Sequence, residues 1–217
     1  MNHNTTVDWS QYMREVCAYH MLQKENDGHQ IGGPNLTVEI DESLFSKRSV
    51  YSHKLSSIST VSISRKNNVG RVFPPQWVFG GICRQTRETF IVAVPDRTAE
   101  TLLAVVRAKI AVGSTVMSDC WRSYNMVVVF FLNIKCILSK QLGADGSYNH
   151  LRVNHSVNFV DPASGAHTQT IERTWRSAKA RNKKQHGTHR QMLDSYLCEF
   201  LWREECKNRD WTQSILF

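Results

Sequence analysis

The sequence predicts an α/β domain in which a mixed sheet is flanked by helices. Three observations carry this. Leu36, Val38 and Ile40 alternate with Thr37, Glu39 and Asp41, the period of a strand with one apolar face. Two further apolar runs, Val78 to Ile82 and Thr89 to Val94, are joined by a polar turn. Beyond them, apolar residues recur at helical as well as strand spacing, so a meander gives way to crossovers.

The elements follow in order. Residues 5–24 predict a helix: Thr5 or Thr6 can cap it, Asp8 sits in its first turn, and Trp9, Met13, Val16 and His20 recur at helical spacing. The polar, Gly-rich stretch Glu25 to Pro34 ends it. The three strands come next. Pro95 to Thr98 then opens a helix with Leu102, Leu103, Val106 and Ile110 on its buried face, and Gly113 stops it. Ser114 to Asp119 is a fourth strand and His150 to His155 a fifth. A basic helix runs from about Thr168 to Lys184 and Gly187 breaks it. Thr188 with Gln191 forms a capping-box pattern before a last helix that buries Met192, Leu193, Tyr196, Leu197, Phe200 and Leu201. The expected sheet is a meander first, then parallel strands added through a crossover.

Two segments fit no period: Ser49 to Ser64, which is Ser-rich, and Asn125 to Lys140, an apolar run. Both stand where the flanking pattern wants a short connection.

Composition narrows the function. Among 217 residues, Lys plus Arg number 27 and Asp plus Glu 19, a formal charge of +8, which points to an anionic partner. The longest apolar run, Met126 to Leu138, is broken by Asn133 and Lys135 and is too short to span a bilayer, so no membrane is expected. Six cysteines, at 17, 83, 120, 136, 198 and 206, include no CxxC pair. The polar first residues hold no apolar signal core, and reduced thiols in an intracellular protein are expected.

The candidate chemistry lies in acids. Asp41 ends the first strand, Asp119 ends the fourth, and Glu172 lies in the first turn or so of the basic helix. Carboxylates at two strand ends, with a third reaching in from a helix, can cage hard divalent ions, which prefer oxygen ligands. The plainer alternative is that the aspartates cap turns and Glu172 pairs with Arg176. On the basic helix, Glu172, Arg176, Lys179 and Lys183 share one face, with Ile171, Trp175 and Ala178 opposite. An acid followed by cations suits a grip on phosphates beside a metal site. His150, His155 and His167 are further candidate ligands, with surface or hydrogen-bonded roles as the commoner alternative.

Five strings now carry a resemblance. They are Gly32 to Phe45 (GGPNLTVEIDESLF), Gln76 to Gly81 (QWVFGG), Ser118 to Tyr124 (SDCWRSY), Val153 to Asp161 (VNHSVNFVD) and Gly165 to Glu172 (GAHTQTIE). In this order they resemble the ISXO-type transposase domain, shared by bacterial insertion sequences and the eukaryotic Merlin transposons, over roughly residues 5–203. The resemblance implies an RNase H-like fold and a DDE site that cuts and rejoins DNA. It implies Asp41, Asp119 and Glu172 as the catalytic and metal-binding acids, with Mg²⁺ or Mn²⁺, two ions when active. Lys179 falls where the family tends to carry a basic residue. With Arg173, Arg176, Lys183 and Lys184, it is the expected DNA contact, mainly non-specific and to phosphates. A homo-oligomer and a nuclear location are compatible with this reading.

The expected organisation is a residual helical segment at 1–30, the transposase domain at 31–203 with irregular inserts at about 49–64 and 126–140, and a tail at 204–217. Relatives usually carry a recognition region ahead of the catalytic domain. Here a single helix precedes the first catalytic strand, so sequence-specific binding of transposon ends is not expected. Excising either insert restores an uninterrupted family pattern, and both begin at or next to Val, whose codons start with GT. Both are therefore read as translated introns, and this copy is expected to be impaired. The rival readings are a non-catalytic, domesticated or decaying DNA-binding protein, and an RNase H-like nuclease.

Overall fold

A computed structural model describes residues 3–45, 76–119, 147–153, 159–162, 164–184 and 188–208. Both inserts, His155 and Gly187 lie outside the described residues. Helix α1 (His3–Asn26) is followed by the short β1 (Ile31–Gly32) and then by β2 (Thr37–Leu44), β3 (Trp77–Cys83) and β4 (Thr89–Val94). Helix α2 (Ala99–Lys109), β5 (Ile110–Ala111), β6 (Thr115–Asp119) and β7 (Asn149–Val153) follow. Helix α3 (Gln169–Lys184), a 3₁₀ turn (Arg190–Met192) and α4 (Leu193–Asn208) complete the order.

The main sheet runs β4-β3-β2-β6-β7. Strands β2, β3 and β4 are an antiparallel meander. Beyond it, β6 joins β2 in parallel and β7 joins β6 in parallel. A three-strand meander extended by two parallel strands on the side of its first strand is the RNase H-like sheet. Strands β1 and β5 pair separately, two residues each, and are too short to leave a period in the sequence.

The alternation of β2 decides the layers. Val38 and Ile40 point into one core with Phe79, Phe90, Leu102, Val106 and Val116, which α2 closes. The other face carries Phe45, Val78, Ile82 and Ile91 against Ile171 and Trp175 of α3 and Leu193, Leu197 and Leu201 of α4. Helix α1 lies outside this second layer and packs chiefly on α4. Among the described residues no helix is long and apolar enough to cross a membrane.

Three local expectations change. In α1 the row Trp9, Met13, Val16 is exposed, whereas Arg14 and Cys17 are buried. Arg14 places its guanidinium 4.7 Å from the centre of the Tyr196 ring. The apolar stripe thus turns away from α4, and the contact is made by a cation over an aromatic face. Ile110 is buried as expected but belongs to β5, because α2 ends at Lys109. Thr188 donates its hydroxyl to Asn182 Oδ1 at 3.3 Å, and α4 starts only after the 3₁₀ turn, where Met192 N donates to His189 O.

Candidate active site on the α3 face of the sheet

The polar row of β2, Glu39 and Asp41, faces α3. Glu39 is fully buried. Its Oε2 accepts from the backbone N–H groups of Thr170 at 2.8 Å and Ile171 at 3.0 Å. Its Oε1 accepts from Arg84 Nε at 2.6 Å, and His167 Nδ1 stands 3.6 Å away. Arg84 also donates through Nη2 to the carbonyl of His167 at 2.7 Å. The first N–H groups of a helix have no partner within it and carry a partial positive charge, so a carboxylate there satisfies both. Glu39 therefore moors the start of α3 to the strand, two residues from Asp41.

This residue was read from the sequence only as one of the strand's polar side. Two signals mark it: the alternation places it on the Asp41 face, and a carboxylate in the middle of a central strand must be partnered once buried.

Asp41 is half-buried, and its Oδ2 accepts from the indole N–H of Trp175 at 3.1 Å. The residue opposite Asp41 on β3 is Gly80. A Cβ at Gly80 would lie 2.8 Å from Trp175 Cη2 and 3.1 Å from the Phe90 carbonyl oxygen. The missing side chain on β3 is the slot that lets the indole lie over the sheet and reach Asp41. Phe45 meets the same indole edge-on, with centroids 6.1 Å apart.

Asp119 is set by strand register. Ile40 pairs with Ser118 in the parallel ladder, and Asp41 and Asp119 are the next positions along. Neighbouring strands lie about 4.8 Å apart, and paired positions project to the same face. On its other side Asp119 pairs with Val153 of β7. Met117, two residues back, packs with Leu151, Val153 and Ala166, away from the α2 core. Asp41 and Asp119 are thus brought together on one face.

Glu172 is exposed in the first turn of α3, on the flank shared with Arg176 and Lys179. Lys179 is half-buried, with Nζ 5.4 Å from the centre of the Phe45 ring. Burial pushes its ammonium below the ordinary lysine value; the nearby Asp41 opposes this and Lys183 adds to it. That flank of α3 therefore leans toward Asp41. Arg173, Arg176, Lys183 and Lys184 are exposed. Among the described residues no three His, Cys, Asp or Glu side chains stand close enough to hold a metal ion. Asp41, Asp119 and Glu172 are thus not gathered into one such group.

The histidines stand elsewhere. His150 Nε2 and Ser118 Oγ lie 3.0 Å apart, and Ser118 alternates with Asp119, so this pair sits on the α2 side of the sheet. Burial, helped by Arg152, pushes the His150 imidazole down to about 4. His167 joins the Glu39 mooring through its backbone carbonyl, which accepts from Arg84.

Residues 32–205 match the family described as the ISXO2-like transposase domain. A protein of Haemophilus influenzae (strain Rd) described as an uncharacterized transposase-like protein is 28% identical over 116 residues, 54% of this chain and 80% of that one. Among solved structures, the chain is similar to the catalytic core domain of BIV integrase at 13% identity, with 80% of this chain and 85% of that chain covered and a TM-score of 0.37. It is also similar to a chain in the simian T-cell lymphotropic virus intasome in complex with PP2A regulatory subunit B56 gamma. There the identity is 9% and the TM-score 0.35, covering 78% of this chain and half the length of that one.

Proposed function

The chain belongs to the ISXO2-like transposase domain family, and from that premise we propose that it is a DNA-cutting and strand-joining domain whose acids are Asp41, Asp119 and Glu172. The observation that carries the proposal is the parallel register of β2 and β6, in which Asp41 and Asp119 are consecutive on the face that α3 covers.

The position of Glu172 agrees with this. The connection from β4 through α2 to β6 joins two parallel strands, and such crossovers are right-handed. With that hand, the flank of α3 bearing Glu172, Arg176 and Lys179 lies on the β6 side of the helix, toward Asp119. The donor set is wholly carboxylate oxygen and partly open to solvent, which suits Mg²⁺ or Mn²⁺ with several retained waters. Asp41, Asp119 and Glu172 would hold the metal, which supplies charge stabilisation at the attacking and leaving oxygens of a phosphodiester. The chain's own part is positional. Trp175 fixes one oxygen of Asp41, Glu39 fixes the start of α3, and Arg173, Arg176, Lys179, Lys183 and Lys184 line the helix for DNA phosphates.

Nicking of duplex DNA in Mg²⁺ or Mn²⁺, compared between the parent chain and Asp119→Asn, tests the reading. Metal-dependent nicking, weak in the chain as written and abolished by the substitution, is expected. Nicking that survives it would overturn the assignment, and cleavage confined to RNA–DNA hybrids would favour a ribonuclease.

A second reading has its own observation: Glu172 is exposed and the three acids are not gathered into one metal-holding group, as in a copy that binds DNA without cutting it. In keeping with it, we read this copy as impaired. The inserts at 49–64 and 126–140 follow the strands that carry Asp41 and Asp119, and a displacement of about 1 Å can cost 10²-fold in rate. The chain with both inserts should show no measurable strand transfer, and deleting both should raise nicking. Strand transfer by the chain as written would refute the impairment.

A further inference from the structure

Seven of the large apolar side chains exposed among the described residues lie on one element, α1. Trp9, Tyr12, Met13, Val16 and Tyr19 are exposed by 52% (Met13) to 65% (Tyr19). Trp9, Tyr12, Val16 and Tyr19 follow one another at steps of three, four and three. That is the seam spacing of a helix built to lie along another helix. The seam does not serve α4, which takes the opposite side of α1: Arg14 lies over Tyr196 and Lys24 pairs with Glu205 at 3.4 Å.

The charges select the occupant. The two cations in the body of α1, Arg14 and Lys24, are turned to α4, and the exposed side carries Asp8 and Glu15, the latter bonded to Gln11 at 3.0 Å. Nucleic acid and anionic membrane both need Lys or Arg around the contact. In a chain of net charge +8, this is a face without exposed cations. A second copy meets no such requirement, and it presents the same seam. We propose that two copies of this chain pair through α1 against α1, with Trp9, Tyr12, Val16 and Tyr19 as the shared core.

The area is adequate. A buried aromatic contributes on the order of 150–250 Å². A row of three half-exposed aromatics with Met13, Val16, Val7 and Leu22 offers several hundred Å² per copy, near the ~800 Å² per partner of a stable interface. The same patch on both copies closes as a two-fold dimer and leaves no open end. It uses no residue of the Asp41 face, so it stands or falls apart from the catalytic reading.

Sedimentation velocity of the full chain over about 1–100 μM tests it, beside Trp9→Glu/Val16→Glu. A dimer is expected for the parent. In the variant the dissociation constant should rise at least about 100-fold with the circular dichroism unchanged. Tyr12→Ser/Tyr19→Ser repeats the test if the first variant loses helix. A parent that stays monomeric at ~100 μM, or a dimer indifferent to both variants, overturns the proposal. So does a monomer that binds anionic vesicles through the same residues.

Discussion

Trp175 donates its indole N–H to Asp41 Oδ2 at 3.1 Å, tying the middle of α3 to the central strand. The bond exists because Gly80, across the ladder from Asp41, has no side chain to occupy the space the indole takes. Three residues on three elements thus fix how one carboxylate points, and only one of the three is an acid.

Gly80→Ala should therefore be costly. Its Cβ would meet the indole at 2.8 Å and the backbone of Phe90 at 3.1 Å, and backbone cannot yield. A loss of about 1–3 kcal/mol is expected from such overpacking, with a shift in tryptophan fluorescence as Trp175 is displaced. Urea unfolding measures the first and an emission spectrum the second. An unchanged midpoint and spectrum would mean the slot is not tight.

Glu39→Ala leaves Arg84 Nε and two N–H groups of α3 without their acceptor. Removing one partner of a buried ion pair costs about 3–5 kcal/mol. Glu39→Gln keeps an acceptor and loses the charge, so it should fall between the parent and Ala. Thermal or urea denaturation of the three chains gives the order; Ala within ~1 kcal/mol of the parent would contradict the mooring role.

His150 predicts a pH dependence. Its folded value, about 4, lies below the ordinary histidine value, so between the two the unfolded chain binds a proton that the folded chain does not. Stability should be full above pH ~6.5 and fall as pH drops toward 4, by up to about 2–3 kcal/mol after allowing for partial exposure. His150→Asn should flatten that segment of the curve. The difference between the two chains' urea midpoints, followed from pH 7 to pH 4, is the measurement. Parallel curves would rule the imidazole out as the cause.

DNA affinity should respond to the exposed cations of α3. Reversing Arg173, Arg176 and Lys183 to Glu is expected to lower the slope of log affinity against log salt by about 2–3. Fluorescence anisotropy with labelled duplex, at three or more salt concentrations, reads it. An unaltered slope would move the DNA face elsewhere.

Much of this was legible in the sequence. β2 is legible from its alternation, whereas β3 and β4 are legible as short apolar runs bounded by turn residues, because the sheet is covered on both faces. Asp119 stands at the end of its strand as expected, but Asp41 does not: β2 runs on to Leu44 and keeps Asp41 inside the strand, because Glu42 to Leu44 still pair with β3. What was not legible depends on partners distant in sequence. Nothing local to Glu39 says that it meets the start of a helix more than a hundred residues on. The outward turn of Trp9 and Val16 is likewise set by which side of α1 meets Tyr196, and periodicity finds a stripe without saying what covers it. Thr188 and Gln191 satisfy the capping pattern, yet Asn182 competes for the hydroxyl.

β2 and β6 lie side by side in the sheet, but the whole meander and α2 separate them along the chain. A tight hairpin such as β3–β4 can close within microseconds. The β2–β6 ladder has to wait until a long loop has been drawn in, with its entropy lost before any pairing compensates. The start of α3 then docks on Glu39 from still later in the chain. During synthesis, which delivers the N-terminal parts first, Asp41 emerges long before either companion acid has been made. The face that carries Asp41 is thus completed late, when α3 and after it α4 have been made. On the proposed reading, a chain ended before α3 would have no means to cut nucleic acid, however well its early strands have paired.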